Sequence, residues 1–118
     1  MQMNGVSRAF GQFMTGFDAF LLPTLRQPAP ALGVMDQNGD FDGEGWHDHI
    51  FAHFPYCAIF NMTGQPAITV PCGLSSGGLP MGAQLVGRMN DEATLLQLAR
   101  SLEEAQPWSG NRPQIFAS

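Results

Sequence analysis

The chain has 118 residues, the length of one ordinary domain, and this excludes a catalytic domain joined to a separate regulatory one. Ten acidic residues against five basic ones give a formal net charge of -5, so the basic surface of a nucleic-acid-binding protein is missing. All five basic residues are arginines, and a chain without lysine has no amine side chain to serve as a catalytic base.

Apolar residues are prominent for so short a chain. Charged residues make up only 13% of it, whereas about 25% is usual, and it contains seven Met and nine Phe. A small core cannot hide this much apolar surface, so we expect part of it to face another domain or subunit, with homo-oligomerisation as one outcome. The composition therefore indicates a piece of something larger.

Two features bear on the cellular compartment. Cys57 and Cys72 are too few for a disulfide framework, and the sequence shows no signal peptide or long apolar stretch. These features predict a cytoplasmic protein with free thiols and no membrane partner.

The first predicted elements are a helix and a strand. Apolar residues recur at helical spacing at four positions, Val6, Phe10, Phe13 and Met14. This spacing predicts a short amphipathic helix that ends near Gly16. The apolar run over residues 17–22, closed by Pro23, then predicts a buried strand.

A loop and two short helices are predicted next. Residues 25–46 hold two prolines, four glycines and four acidic residues, a composition that predicts a surface loop. Residues 47–54 favour a short helix, and Pro55 ends or kinks it while suiting the first turn of a second helix that reaches Met62. Gly64 is then placed to cap the second helix.

The last predicted elements are a hairpin and a helix. Residues 67–70 and 81–86 have the composition of strands, and the Gly- and Ser-rich connection between them predicts a hairpin. Asn90 is a favourable N-cap for a final helix that Pro107 ends. One face of this helix is apolar and consists of Leu95, Leu98, Ala99 and Leu102. Helices and strands thus mix along residues 1–118, which predicts a single α/β domain.

Several stretches are not explained by periodicity alone. They are NMTGQPAITVPCG at residues 61–73, GLPMGAQLVGR at residues 78–88 and DEATLL at residues 91–96, while DAFLLPT at residues 18–24 ends in a Pro-Thr pair. In this order and spacing they closely resemble the C-terminal portion of the amidase signature family, whose members hydrolyse carbon–nitrogen bonds of amides. The family includes the glutamine-hydrolysing subunit of tRNA-dependent amidotransferases.

The resemblance implies that the chain is a fragment of a large α/β/α fold built around a mixed sheet. It also implies a catalytic set of a serine nucleophile, a bridging serine and a lysine that accepts a proton through the bridging serine. In the family this set lies N-terminal to the matching portion. We therefore expect no catalytic residue in the chain, no amide turnover by the chain alone, no cofactor, and a missing N-terminal catalytic part as its partner.

A run of serine and glycine at residues 75–78 imitates the family's nucleophile segment. Its position argues against that role, because it lies between the two predicted strands, where serine and glycine suit a turn. Ser75 and Ser76 also have no neighbouring base in the sequence, so their hydroxyls are expected to be unactivated.

A zinc site is suggested by His49 and His53, which share a helix face at i, i+4, with Cys57 four residues further on. Pro55 interrupts that face, and no other histidine or cysteine completes a set with recognisable spacing. We therefore expect these histidines, with His47, to lie at a surface or a pocket rim.

A calcium loop is suggested by Asn38, Asp40 and Asp42, whose spacing matches the first half of such a loop. The position that needs a bidentate carboxylate is occupied by His49. The sequence therefore favours a solvated acidic loop over a metal site.

The resemblance places residues 53–63 along the wall of the amidase pocket, which gives four candidate substrate-binding residues: Phe54, Tyr56, Ile59 and Asn61. In the amidotransferase branch an acidic residue at the position of Phe54 binds the amino group of glutamine, and an aromatic ring cannot form that ion pair. The resemblance therefore implies that the whole enzyme acts on an uncharged or apolar amide as its small-molecule substrate. Packing in the core is an equally open role for these residues, and the amides of Asn61 and Gln84 are expected to brace the backbone.

The sequence thus predicts a C-terminal fragment of an amidase-signature hydrolase. The alternative is a non-enzymatic protein, either a domain that docks on a separate chain and completes its pocket or a degenerate truncated relative. The surplus of apolar residues fits both hypotheses.

Overall fold

The computed structural model describes residues 2–113 and residue 115. Within them lie four helices and three strands, in the order α1 (Gln2–Met14), β1 (Ala19–Pro23), α2 (Gly43–His53), α3 (Cys57–Thr63), β2 (Ala67–Leu74), β3 (Pro80–Gly87) and α4 (Glu92–Ala105). The predicted succession of helix, strand, loop, short helices, hairpin and helix is confirmed.

The three strands form one antiparallel sheet in the order β1-β3-β2. The predicted hairpin is confirmed, and its strands are longer than expected because pairing continues past Val70 to Leu74, with an irregularity between Pro71 and Gly73. Strand β3 is central, and its residues from Gln84 to Gly87 are buried because neighbours cover both sides. Strands β1 and β2 form the edges of the sheet.

Helices cover both faces of this sheet. Helix α4 packs on one face against β2 and β3, and α1 and α3 pack together on the other. Rings join these layers, since the ring of Phe10 lies 5.5 Å from that of Phe60 and 6.2 Å from that of Phe20. The result is a small three-layer α/β arrangement, and the buried apolar residues among those described are Met14, Phe60, Val70, Leu85, Val86 and Leu95.

The prediction that β1 is buried is wrong in one respect. Strand β1 lies at an edge and α4 does not extend over it, so the side chain of Leu21 remains 64% exposed. Phe17 precedes the strand and is also exposed.

Helix α2 begins four residues earlier than expected, at Gly43, so the loop of residues 25–46 is shorter than predicted. The carboxylate of Asp42 accepts a hydrogen bond from the backbone N–H of Gly45 at 2.7 Å, which satisfies one of the free donors of the first turn. This cap offsets the low helix propensity of two glycines in that turn.

The N-cap of α4 is Asp91, one residue after the predicted Asn90. Asn90 adopts a φ of 61°, a left-handed conformation that asparagine tolerates better than most residues. It closes a turn in which the N–H of Asp91 donates to the carbonyl of Arg88 at 3.1 Å. Gly64, in contrast, caps α3 with a φ of 82°, as predicted.

The structure is more open than a chain of this length usually is. Its radius of gyration is 16.9 Å, whereas a compact domain of 118 residues has about 13.5 Å. Its accessible surface is 8788 Å², whereas a monomer of 12.8 kDa has about 6,300 Å². The chain therefore exposes roughly 2,500 Å² more surface than a self-contained domain would.

None of the helices formed by the described residues combines the length and the apolar character needed to cross a bilayer.

Candidate functional site

The four predicted substrate-binding residues lie at the junction of α2 and α3 and along α3. Phe54 follows the last turn of α2 and Tyr56 precedes the first turn of α3, and both are half-buried. Ile59 and Asn61 are exposed on α3. Because residues two positions apart lie about 200° apart around a helix, Ile59 and Asn61 occupy opposite flanks of α3.

The packing of α3 explains this division. Phe60 and Thr63 are its buried residues and face the body of the molecule. The exposure of Asn61 contradicts the expectation that its amide braces the backbone, whereas Gln84 is only 5% exposed and does lie inside the fold. Exposed Ile59 and Asn61 do not pack in the core of this chain.

A row of aromatic rings connects the long loop to Phe54. Phe41 stacks on His49 at 4.9 Å between ring centroids, His49 meets His53 at 5.0 Å, and His53 lies 6.3 Å from Phe54. His49 Nε2 also lies 2.8 Å from the carbonyl oxygen of Val34. The i, i+4 spacing of the two histidines indicated this row in the sequence. In the structure His49 contacts the loop, and the ring of His53 contacts His49 and Phe54.

Hydrogen bonds within the protein engage side chains of the suggested metal sites. His53 Nδ1 lies 2.9 Å from the carbonyl oxygen of His49, Asp36 accepts two hydrogen bonds from Asn38, and Asp42 caps α2. In the part of the chain that the structure describes, no three His, Cys, Asp or Glu side chains come together in a way that could hold a metal ion.

The charge of the molecule is concentrated beside this row of rings. Residues 36–48 hold five carboxylates and no arginine, and the rest of the chain holds five acidic and five basic residues. The whole formal charge of -5 thus resides in one segment of the loop and the first half of α2. Two of these groups, Asp42 and Glu44, lie at the start of α2, where the helix dipole favours negative charge.

A polar cluster lies between α3 and the sheet. The thiol of Cys57 approaches the carbonyl oxygen of Thr24 at 3.8 Å and Gln84 Oε1 at 3.9 Å. The hydroxyl of Thr24 donates to that of Thr69 at 3.3 Å. Thr24 and Thr69 are 45 residues apart in sequence, and antiparallel pairing with β3 from both sides brings them together.

A small pocket opens beside this cluster. It has a volume of about 200 Å³, and its lining residues are Thr24, Leu25, Gln27, Thr69, Pro80, Met81 and Gly82. A Cβ atom on Gly82 would come within 2.9 Å of the methyl carbon of Thr69 and 3.1 Å of the hydroxyl oxygen of Thr24. Only glycine therefore lets both threonines approach β3 at this point.

A larger apolar groove lies on the opposite face, where α4 leaves β1 uncovered. Its volume is about 490 Å³, and Leu21, Leu85, Leu98 and Leu102 are among its lining residues. The apolar face of α4 is thus divided: Leu95 is buried, and Leu102 remains 43% exposed along the groove.

The run of serine and glycine at residues 75–78 forms the tip of the hairpin, as predicted. The backbone of Ser75 pairs with Leu79 and Gly78, and its hydroxyl accepts a hydrogen bond from the N–H of Leu79 at 3.1 Å. The hydroxyl thus stabilises the turn. Both cysteines are free: Cys57 is half-buried and Cys72 exposed.

Comparison with known proteins gives a consistent result. The sequence profile of the Amidase family matches residues 1–96. The 6-aminohexanoate-cyclic-dimer hydrolase of Pseudomonas sp. strain NK87 is 38% identical over 105 residues, which cover 86% of this chain and 21% of that protein. The putative amidase AmiA2 of Mycobacterium bovis is 38% identical over 109 residues, covering 92% of this chain and 22% of that protein.

Solved structures show the same similarity. A 6-aminohexanoate cyclic dimer hydrolase complexed with substrate superposes with a TM-score of 0.81 at 31% identity, covering 95% of this chain and 24% of that one. A glutamyl-tRNA(Gln) amidotransferase subunit of Thermotoga maritima gives a TM-score of 0.67 at 27% identity, covering 90% and 21%. The chain therefore spans about a fifth of the length of the curated relatives that it matches.

Proposed function

The chain belongs to the amidase signature family, and from that premise we propose that it is the C-terminal part of a hydrolase that cleaves the carbon–nitrogen bond of an uncharged or apolar amide. Two observations support this proposal. The profile of the Amidase family matches residues 1–96, and the chain covers about a fifth of the length of its relatives. The relatives of known structure include a hydrolase of the 6-aminohexanoate cyclic dimer, a compound without a free ammonium group.

The proposed chemistry uses residues outside this chain. A serine attacks the amide carbonyl while a lysine takes its proton through a second serine, the amine leaves with a proton, and water then hydrolyses the acyl-enzyme. This chain has no lysine, so it supplies part of the binding wall and takes no covalent part in the reaction. Phe54, Tyr56, Ile59 and Asn61 are its proposed wall residues, with Ile59 and Asn61 serving different flanks of α3.

A chimera tests this proposal. The chain replaces the matching quarter of the 6-aminohexanoate cyclic dimer hydrolase. Ammonia release is measured with hexanamide and benzamide, and formation of a new primary amine with a cyclic amide. We expect turnover by the chimera and none by the chain alone, and Phe54→Ala should raise KM more than it changes kcat. Ammonia release by the isolated chain that Ser75→Ala or Ser76→Ala abolishes would contradict the proposal.

One observation favours the docking alternative. The surplus of roughly 2,500 Å² of exposed surface exceeds what both partners together bury in a standard interface, about 1,600 Å². A non-enzymatic domain that docks on a separate chain, or on a second copy of itself, would use such a surface. Sedimentation at several concentrations measures self-association, and a strictly monomeric, cooperatively folding chain argues against this alternative.

A further inference from the structure

The pocket beside Thr24 and Thr69 has the features of a preorganised binding site. Every polar group of Thr24 is engaged: its N–H donates to the carbonyl of Gly82 at 3.2 Å, its carbonyl lies 3.8 Å from the thiol of Cys57, and its hydroxyl donates to Thr69. Threonine is also stiff about its first side-chain torsion. Thr24 is therefore restrained before any ligand arrives, and the hydroxyl of Thr69, an exposed residue, lies 3.3 Å from its own.

The hydroxyl pair offers two complementary groups to a ligand. One hydroxyl of the pair donates to the other, so one hydroxyl hydrogen is left to donate to a ligand and the lone pairs of the donating oxygen are left to accept. These two sites lie 3.3 Å apart. An amide group presents a matching acceptor, its carbonyl oxygen, beside a matching donor, its N–H.

The rest of the pocket lining selects a neutral ligand of limited size. Leu25, Pro80 and Met81 supply apolar contacts, Gln27 adds a neutral amide, and no lining residue is ionisable. The volume of about 200 Å³ suits a molecule of a few heavy atoms or one end of a longer one. An apolar cavity with a few convergent polar groups is the usual form of a small-molecule site.

We propose that this pocket is a subsite for a neutral amide group, with one hydroxyl of the Thr24–Thr69 pair donating to the carbonyl oxygen of the ligand and the other accepting from its N–H. This inference deepens the proposed function and rests on it for the assignment of the ligand to the substrate of the whole enzyme. It assigns the carbonyl and N–H of the bound amide to two residues that lie outside the proposed wall on α3.

The experiment titrates the 118-residue chain with two cyclic probes and follows backbone amide resonances by two-dimensional NMR. The first probe, 2-pyrrolidinone, carries both a carbonyl and an N–H, and the second, N-methyl-2-pyrrolidinone, has lost the donor. We expect saturable shifts of the amide resonances at residues 24–27 and 80–82 with the first probe. The second probe should bind about tenfold more weakly, because it makes one hydrogen bond fewer.

Matched variants assign the hydrogen bonds. Thr24→Val and Thr69→Val keep the shape of the side chain and remove its hydroxyl, and each should weaken 2-pyrrolidinone about tenfold. Thr94→Val is the control, because its hydroxyl binds Asp91 at the start of α4, away from the pocket. It should leave binding unchanged.

Three results would overturn the inference: no saturable shift at the pocket, equal affinity for the two probes, or equal weakening by Thr94→Val. The comparison of the two probes needs only the unmodified chain, so it holds even if a threonine variant fails to fold. Probe binding without turnover by the chimera would refute the proposed function and leave the subsite standing. Turnover by the chimera without probe binding would refute the subsite and leave the proposed function standing.

Discussion

Two regions of the molecule are held together by different forces. The hairpin unit, which consists of β2, β3 and α4, contains most of the buried apolar residues, with Val86 fully buried and Leu95 on the buried face of α4. The arm, residues 25–54, contains α2, which has no buried residue, and its loop is held by stacked rings and hydrogen bonds at its ends. Burial therefore stabilises the first region, whereas the second depends on a few directional contacts.

The comparison predicts that the largest loss of stability comes from the hairpin unit. Leu85→Ala removes a side chain that is only 6% exposed in the central strand, and we expect it to lower the free energy of unfolding by about 2–5 kcal/mol in urea titrations. The control is Leu96→Ala, since Leu96 is 62% exposed and should cost about 0.5 kcal/mol or less. Equal losses in the two variants would show that the hairpin unit is not the core.

A smaller, local effect is expected in the arm when the cap of α2 is removed. Asp42→Ala loses the hydrogen bond to Gly45 and should destabilise α2 by about 1 kcal/mol. Hydrogen exchange across α2 should accelerate while the midpoint of global unfolding stays nearly unchanged. A shift of that midpoint as large as the one caused by Leu85→Ala would mean that arm and hairpin unit unfold together.

The attachment of the loop to α2 gives a sharper test. His49→Ala removes both the contact with the carbonyl of Val34 and the stacking on Phe41, so exchange at amides in residues 34–41 should become about fivefold faster. His47→Ala is the matched control, because the ring of His47 contacts Phe51 on α2 itself, with a centroid distance of 4.3 Å. Acceleration in both variants would indicate a general loosening of α2.

The smallest effect is expected on the surface of α4. Arg100 and Glu104 form an ion pair at 2.7 Å, and both side chains are largely exposed. Glu104→Gln should change the free energy of unfolding by about 0.5 kcal/mol or less, with a slight dependence on salt. A loss above about 1 kcal/mol would contradict the assignment of stability to burial.

Sequence patterns predicted the elements well where local spacing decides the outcome. The apolar stripe of α1, the hairpin with its serine and glycine tip, and the left-handed cap at Gly64 all follow from neighbouring residues. The start of α2 was missed because two glycines concealed the capping role of Asp42. The shift of the α4 cap depended on the left-handed turn that Asn90 adopts.

Contacts distant in sequence lay beyond local patterns. The pairing of Thr24 with Thr69 depends on the register of both edge strands against β3, which no short window contains. The burial of β1 was overestimated for the same reason, since an apolar run does not say whether a strand lies at an edge. The candidate wall on α3 came from family resemblance, and the opposite placement of Ile59 and Asn61 became visible only in the helix.

The whole formal net charge of the chain belongs to residues 36–48, which lie within the arm. Five carboxylates on one segment attract a cationic neighbour before contact, over a range of about 8 Å at physiological ionic strength. A cationic surface is therefore attracted to the arm, which carries five carboxylates and one arginine. The arm thus contributes attraction at long range, whereas the exposed apolar surfaces act only on contact.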